Sequence, residues 1–210
     1  MKPTHRTALL AILAALLVAG IVALAWPWLA PTREAGVGTA TGSAAPNAAG
    51  PVDIGGPFTL VTKGGEPFTE ADLTGKPYAI FFGFTYCPDV CPTTLNEMTA
   101  WIDALGEKAD AMRFVFVTVD PARDDPETLT RYVEAFNDRV IPLTGDEAAI
   151  RDMLDAYKIY AAKVPLEGGD YTMNHTAAVY LMDGEGGFVD VISFKDDQAT
   201  ALAKLRGLVE

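Results

Sequence analysis

The 210-residue chain has only two cysteines, and they stand four residues apart in Thr85-Tyr86-Cys87-Pro88-Asp89-Val90-Cys91-Pro92. A thiol pair can hold a soft metal or exchange with disulfides, because thiolate is the reactive form in both cases. The C-x-x-x-C spacing is one residue longer than the common C-x-x-C redox pair. If the segment after Cys87 turns into a helix, both sulfurs lie on one side of its N-terminus, where unpaired N–H groups favour thiolate. Pro88 and Pro92 stiffen the loop and remove competing donors. The other soft-metal donors are few. Of two histidines, His5 precedes a long apolar run and cannot share a site with the cysteines; His175 follows Cys91 by 84 residues. A lone histidine beside a strand is ordinarily structural. Brought to the thiols, it completes a three-coordinate site suited to Cu(I); Zn²⁺ accepts such ligands but prefers four, and hard cations are disfavoured. Met173 is near enough in sequence to add a thioether, though a packed methionine is the simpler reading. Asp120 follows an apolar strand and is a candidate proton acceptor or neighbour of the cysteines, while Asp124 and Asp125 read as the turn and cap of the next helix.

The elements that must position these residues alternate along the chain. Phe58–Val61 reads as a short strand before a Gly64-Gly65 turn. Tyr78–Thr85 and Arg113–Val119 are near-continuously apolar, as strands covered on both faces are. Pro92 to about Lys108 carries Leu95, Met98, Ile102 and Leu105 at helical spacing. Asp125-Pro126-Glu127 starts a second helix, with an acidic cap and proline at the first helical position. A short strand at Ile141–Thr144, a helix from Asp146 to about Tyr157, a hairpin of Thr176–Met182 with Gly187–Ser193, and a helix over Asp196–Leu208 complete the series. This order predicts an α/β class, a central mixed β-sheet flanked by helices. Strands first separated by helices and then joined by a hairpin are what a thioredoxin-like fold requires. In such a sheet the loop before the last hairpin faces the cysteine loop, which would bring His175 to Cys87 and Cys91.

Composition restricts where this domain works. Ala8–Leu29 is 22 residues without a charge. As a helix at about 1.5 Å per residue it spans about 33 Å, enough for a hydrocarbon core of about 30 Å. Lys2 and Arg6 precede it and Trp26 and Trp28 lie at its far end, so residues 1–7 are expected in the cytoplasm and 8–30 as a transmembrane helix. A cleaved signal peptide ending near Ala23-Leu24-Ala25 is the competing reading, but the run exceeds the ~15 residues of a signal h-region. Either reading exports the rest. Residues 31–56, rich in Ala, Gly, Pro, Thr and Ser, read as a flexible linker, and 57–210 as one domain. All 28 acidic residues follow Arg33. The net charge of −12 therefore understates the acidity of the exported part, and nucleic acid is excluded as a partner. A purely structural Cys87–Cys91 disulfide would close too small a loop to stabilise much.

Four blocks then carry a resemblance: Phe84–Leu95 (FTYCPDVCPTTL), Val119–Glu127 (VDPARDDPE), Asn174-His175-Thr176, and Tyr180–Asp183 with Gly187–Val189. Over roughly Pro51 to Val209 the chain resembles the Sco/SenC family of membrane-tethered copper-binding proteins. The resemblance implies a thioredoxin-like fold that binds one copper, as Cu(I) and with Cu(II) left open, through Cys87, Cys91 and His175. It implies help in assembling the copper A centre of cytochrome c oxidase, with its copper-A subunit or another copper chaperone as partner. The protein would then sit in the cytoplasmic membrane with its soluble domain on the periplasmic side. Family members deliver copper, reduce the target's cysteines, or both, and Asp120 matches the acidic residue of the family's VDP block. The family usually has Asp-His-Ser where this chain has Asn174-His175-Thr176, which removes a charge beside the histidine. A dedicated thiol–disulfide reductase is the alternative. A peroxidase reading fails because Thr85 lies two residues before Cys87, not in a Thr-x-x-Cys block.

Overall fold

Six consecutive buried residues, Tyr78–Gly83, form the strand on which the architecture is built (β3). The computed structural model describes residues Asp53–Val209. The elements in order are β1 (Thr59–Val61), β2 (Pro67–Thr69), β3, α1 (Val90–Leu105), β4 (Arg113–Thr118), α2 (Pro126–Glu134), β5 (Val140–Leu143), α3 (Glu147–Ala156), β6 (Ala161–Pro165), β7 (Tyr171–His175), β8 (Ala178–Met182), β9 (Phe188–Ser193) and α4 (Gln198–Val209). Five strands make a mixed sheet in the order β5-β4-β3-β8-β9. The pairs β3–β4 and β4–β5 are parallel; β3–β8 and β8–β9 are antiparallel.

Because strand side chains alternate in direction, adjacent phenylalanines of β3 serve opposite faces. Phe81 meets Phe116 of β4 edge-on at 5.8 Å, and Phe116 meets Tyr132 of α2 at 6.2 Å. Phe82 meets Tyr157, which follows α3, at 5.5 Å. Helices therefore cover both faces. The stripe predicted for α1 is buried as expected: Leu95, Met98, Ile102 and Leu105, joined by Trp101. Asp125 caps α2 by accepting from the Thr128 N–H at 2.7 Å, and Asp146 caps α3 by accepting from the Ala149 N–H at 2.8 Å. This α/β architecture, a central mixed sheet between helices, is the thioredoxin-like arrangement expected from the element order.

Several features depart from the sequence reading, the short strand β2 among them. A hairpin of β6 and β7 occupies 161–175, where no element was expected, and it forms a two-stranded sheet of its own. His175 therefore ends a strand rather than lying in a loop, and β8 begins at Ala178 rather than Thr176. The expected cytoplasmic segment 1–7, transmembrane helix 8–30 and nearly all of the linker 31–56 lie outside the described residues. No helix among the described residues is long and apolar enough to cross a membrane.

Candidate metal centre

β3 delivers the chain to the top of the sheet, and the loop after it must reverse into α1. Cys87 lies in that loop and Cys91 in the first turn of α1. The Cys87 N–H donates to the Phe84 carbonyl at 3.3 Å, which fixes the turn. Asp89, at the position that usually caps a helix, makes no capping hydrogen bond. The Cys87 sulfur takes that role, accepting from the Cys91 N–H at 3.3 Å. An orphan amide of the helix N-terminus is thus spent on a sulfur, which favours thiolate there. Pro92 costs α1 nothing, since a first-turn N–H has no intrahelical partner.

Cys91 is fully buried and Cys87 half-buried; neither is in a disulfide. Gly83, the last residue of β3, makes the space for Cys91. A Cβ at Gly83 would lie 2.8 Å from the Cys91 Sγ and 2.9 Å from the Phe116 ring. The two thiols share one proton between them. The hydrogen bond from the Cys91 side chain, above all, lowers the Cys87 thiol to about 4; His175 and backbone groups add to this and burial opposes it. The same hydrogen bond and burial push the Cys91 thiol up. Cys87 is therefore the thiolate and Cys91 its buried donor.

His175 approaches from the other side. Its Nε2 lies 3.6 Å from the Cys91 Sγ, and its Nδ1 lies 3.0 Å from the Thr176 carbonyl. A carbonyl only accepts, so Nδ1 carries a proton, and Nε2 is the ring nitrogen turned toward the sulfurs. The ring is held edge-on by Phe84 at 5.7 Å and Phe81 at 6.0 Å. The ligand atoms of Cys87, Cys91 and His175 all lie within 4.8 Å of one another, the metal-sized cluster found among the described residues. Two sulfurs and one imidazole nitrogen are a donor set for a soft, low-coordinate ion such as Cu(I). Met173 is partly buried against the core.

Asp120 is fully buried. Its carboxylate accepts from the Arg123 Nε and, at 2.8 Å, from the Tyr171 hydroxyl, so its oxygens are directed at β7. Asp124 departs from the sequence reading. Its N–H closes the expected turn by donating to the Asp120 carbonyl at 3.0 Å, but its side chain is fully buried and accepts from the Thr85 N–H at 3.1 Å, the Thr85 hydroxyl at 2.5 Å and the Thr118 hydroxyl at 2.6 Å. Burial pushes its carboxyl up while those hydrogen bonds hold it down. Asp124 thereby ties the strand end at Thr118 to Thr85, two residues before Cys87. Sequence reasoning missed Asp124, Arg123 and Tyr171 as supports of the site. The adjacent acidic pair Asp124-Asp125 held the signal, since only one of two neighbours can cap a helix.

The SCO1/SenC family model matches residues 46–210. SCO2-like protein RP587 of Rickettsia prowazekii is 41% identical over 140 residues, covering 66% of this chain and 68% of that protein. Mitochondrial protein SCO2 of Saccharomyces cerevisiae is 37% identical over 166 residues, and the match spans 77% of this chain but only 54% of the yeast protein. The solved structure of Bradyrhizobium japonicum ScoI with copper bound is 45% identical, with a TM-score of 0.69, over 74% of this chain and 99% of that one. In sequence, fold and the meeting of its two cysteines with one histidine, the chain belongs to the SCO1/SenC family.

Proposed function

We propose that the protein is a copper chaperone: it holds one Cu(I) on Cys87, Cys91 and His175 and passes it on during assembly of the copper A centre of cytochrome c oxidase. The observation that carries this reading is the convergence of two sulfurs and an imidazole nitrogen within 4.8 Å from two distant parts of the chain. Copper bound to the related ScoI supports it. Cu(I) binding displaces the proton that the two thiols share, so the first thiolate is ready and the second forms as the metal arrives. Three ligands leave the ion open on one side, and an incoming cysteine of the copper-A subunit, or of another copper chaperone, can replace them one at a time. A Cys87–Cys91 disulfide would remove both sulfur ligands, so oxidation gates loading. In this reading residues 8–30 anchor the chain in the cytoplasmic membrane, 31–56 tether it, and 57–210 work on the periplasmic side.

A second reading is favoured by the unequal thiols. A half-buried Cys87 thiolate backed by a buried Cys91 thiol is the arrangement of a dithiol reductase. The Cys87 thiolate would attack a target disulfide and release one target thiolate. Cys91 would then attack the mixed disulfide, freeing the second target thiol and leaving a Cys87–Cys91 disulfide. His175 separates the two readings, because metal binding uses its nitrogen and thiol exchange does not require it. The test mixes the reduced protein, with and without Cu(I), with a copper-A domain whose cysteines are either a dithiol or a disulfide. Delivery is expected to metallate the dithiol target, and His175→Ala to abolish this. Reduction of the disulfide target by the copper-free protein, equally fast in His175→Ala, with no metal transfer from the loaded protein, would replace the first reading by the second.

A further inference from the structure

His175 ends a hairpin that belongs to a separate two-stranded sheet, and a hairpin alone is marginally stable in water. Its position relative to the cysteines must come from contacts with the body of the domain. Met173 and Ala161 pack on the core and His175 meets Phe81 and Phe84, but the polar contacts at the Tyr171 end converge on one side chain. The Arg123 guanidinium lies over the Tyr171 ring, 3.8 Å from its centroid, and over the Tyr86 ring, 4.6 Å from its centroid. Tyr171 begins the strand that His175 ends, and Tyr86 precedes Cys87. Arg123 Nη1 donates to the Tyr171 carbonyl at 2.9 Å and to Asp170 at 3.4 Å, and Nε donates to Asp120. Asp120 closes the circle by accepting from the Tyr171 hydroxyl. Tyr171 is thus gripped by its ring, its carbonyl and its hydroxyl, and the same cation carries the tyrosine next to the first sulfur.

We propose that Arg123 is a positioning residue: clasped by Tyr86 and Tyr171 and fixed by Asp120, it fastens the His175-bearing hairpin to the cysteine loop and so sets the distance between the imidazole and the sulfurs. The proposal rests on the copper-binding reading for its consequence, but the clasp itself is a property of the metal-free protein. Only a planar, forked cation can stack on two rings while donating to Asp120 and the Tyr171 carbonyl together, so lysine is no substitute.

The test uses the full chain, reduced, with Arg123→Lys and the milder Tyr171→Phe. Hydrogen exchange of the metal-free protein is read over 161–175 and over β3 and β4, followed by Cu(I) titration against a chromophoric chelator. Arg123→Lys is expected to speed hairpin exchange about tenfold or more while β3 and β4 stay protected, and to weaken Cu(I) binding about 10-fold or more. Tyr171→Phe is expected to shift both in the same direction by less. Unchanged hairpin exchange in Arg123→Lys would overturn the clasp. A loosened hairpin with unchanged Cu(I) affinity would overturn its positioning role. Failure of the unsubstituted protein to bind Cu(I) would sink the copper reading instead, and the exchange data would still decide the clasp.

Discussion

Cys91 is held by a fully buried strand and the first turn of a 16-residue helix, whereas His175 ends a five-residue strand outside the main sheet. The cysteine side is built of close packing: Gly83, Phe116 and the Cys91 sulfur leave no room for a methyl group. The histidine side is half-exposed and fastened by polar and ring contacts around Arg123, with Val164 and Leu166 of the hairpin open to solvent. A rigid wall that fixes the buried sulfur and an adjustable wall that brings the nitrogen suit the proposed function, in which the site both holds a metal and releases it. Interiors packed this closely have few alternative arrangements, while hairpins fastened at the surface open at lower cost.

The sharpest way to break this contrast is in the sheet. Phe116 is fully buried between Phe81 and Tyr132, and Phe116→Ala should cost about 3–5 kcal/mol in denaturant unfolding. A cost near that of a surface residue would refute the account of the rigid wall. The next effect is kinetic. With the Cys87 thiol lowered to about 4, its thiolate persists at every pH above that value and is lost only below it. Alkylation of the reduced, metal-free protein should label Cys87 at nearly equal rates from pH 6 to 8.5, where an ordinary thiol would slow about 100-fold on going down. Cys91, pushed up and buried, should stay unlabelled. A rate that falls in the ordinary way would dissolve the shared-proton account.

Smaller still is Gly83→Ala. Its new methyl meets the Cys91 sulfur and the Phe116 ring at under 3 Å, and neither can step aside. Over-packing of about 1–3 kcal/mol is expected, together with exposure of Cys91 to alkylation. On the other wall, Leu166→Ser at a 49% exposed position should leave stability within about 0.5 kcal/mol. A large loss there would mean the hairpin is packed into the core after all.

The same division explains what could be read from the sequence. The β3–α1 junction was legible because its signals are local: an unbroken apolar run, then helical spacing at Leu95, Met98, Ile102 and Leu105. The membership of His175 in the site followed from fold order and resemblance, not from anything beside it in the chain. The β6–β7 hairpin was not foreseen. Its strands are short and half-exposed, so burial printed no alternation on them. Gly168 and Gly169, at φ of +90° and +89°, make a turn that side chains rarely adopt, and this glycine pair was the available signal. Asp124 was misjudged because its three donors, from Thr85 and Thr118, come from distant segments or across a turn. Arg123 was invisible for the same reason: both rings it lies over are brought there by tertiary structure.

The central claim is that Cys87, Cys91 and His175 together hold copper. It is tested most directly by a competitive Cu(I) titration of the reduced full chain alongside Cys87→Ser, Cys91→Ser and His175→Ala. The account expects one tightly held Cu(I) per chain, and a loss in each variant larger than the 10–100-fold expected of a residue that only supports a ligand. Binding in His175→Ala as tight as in the unsubstituted protein, in chains shown to be folded with both thiols free, would contradict it.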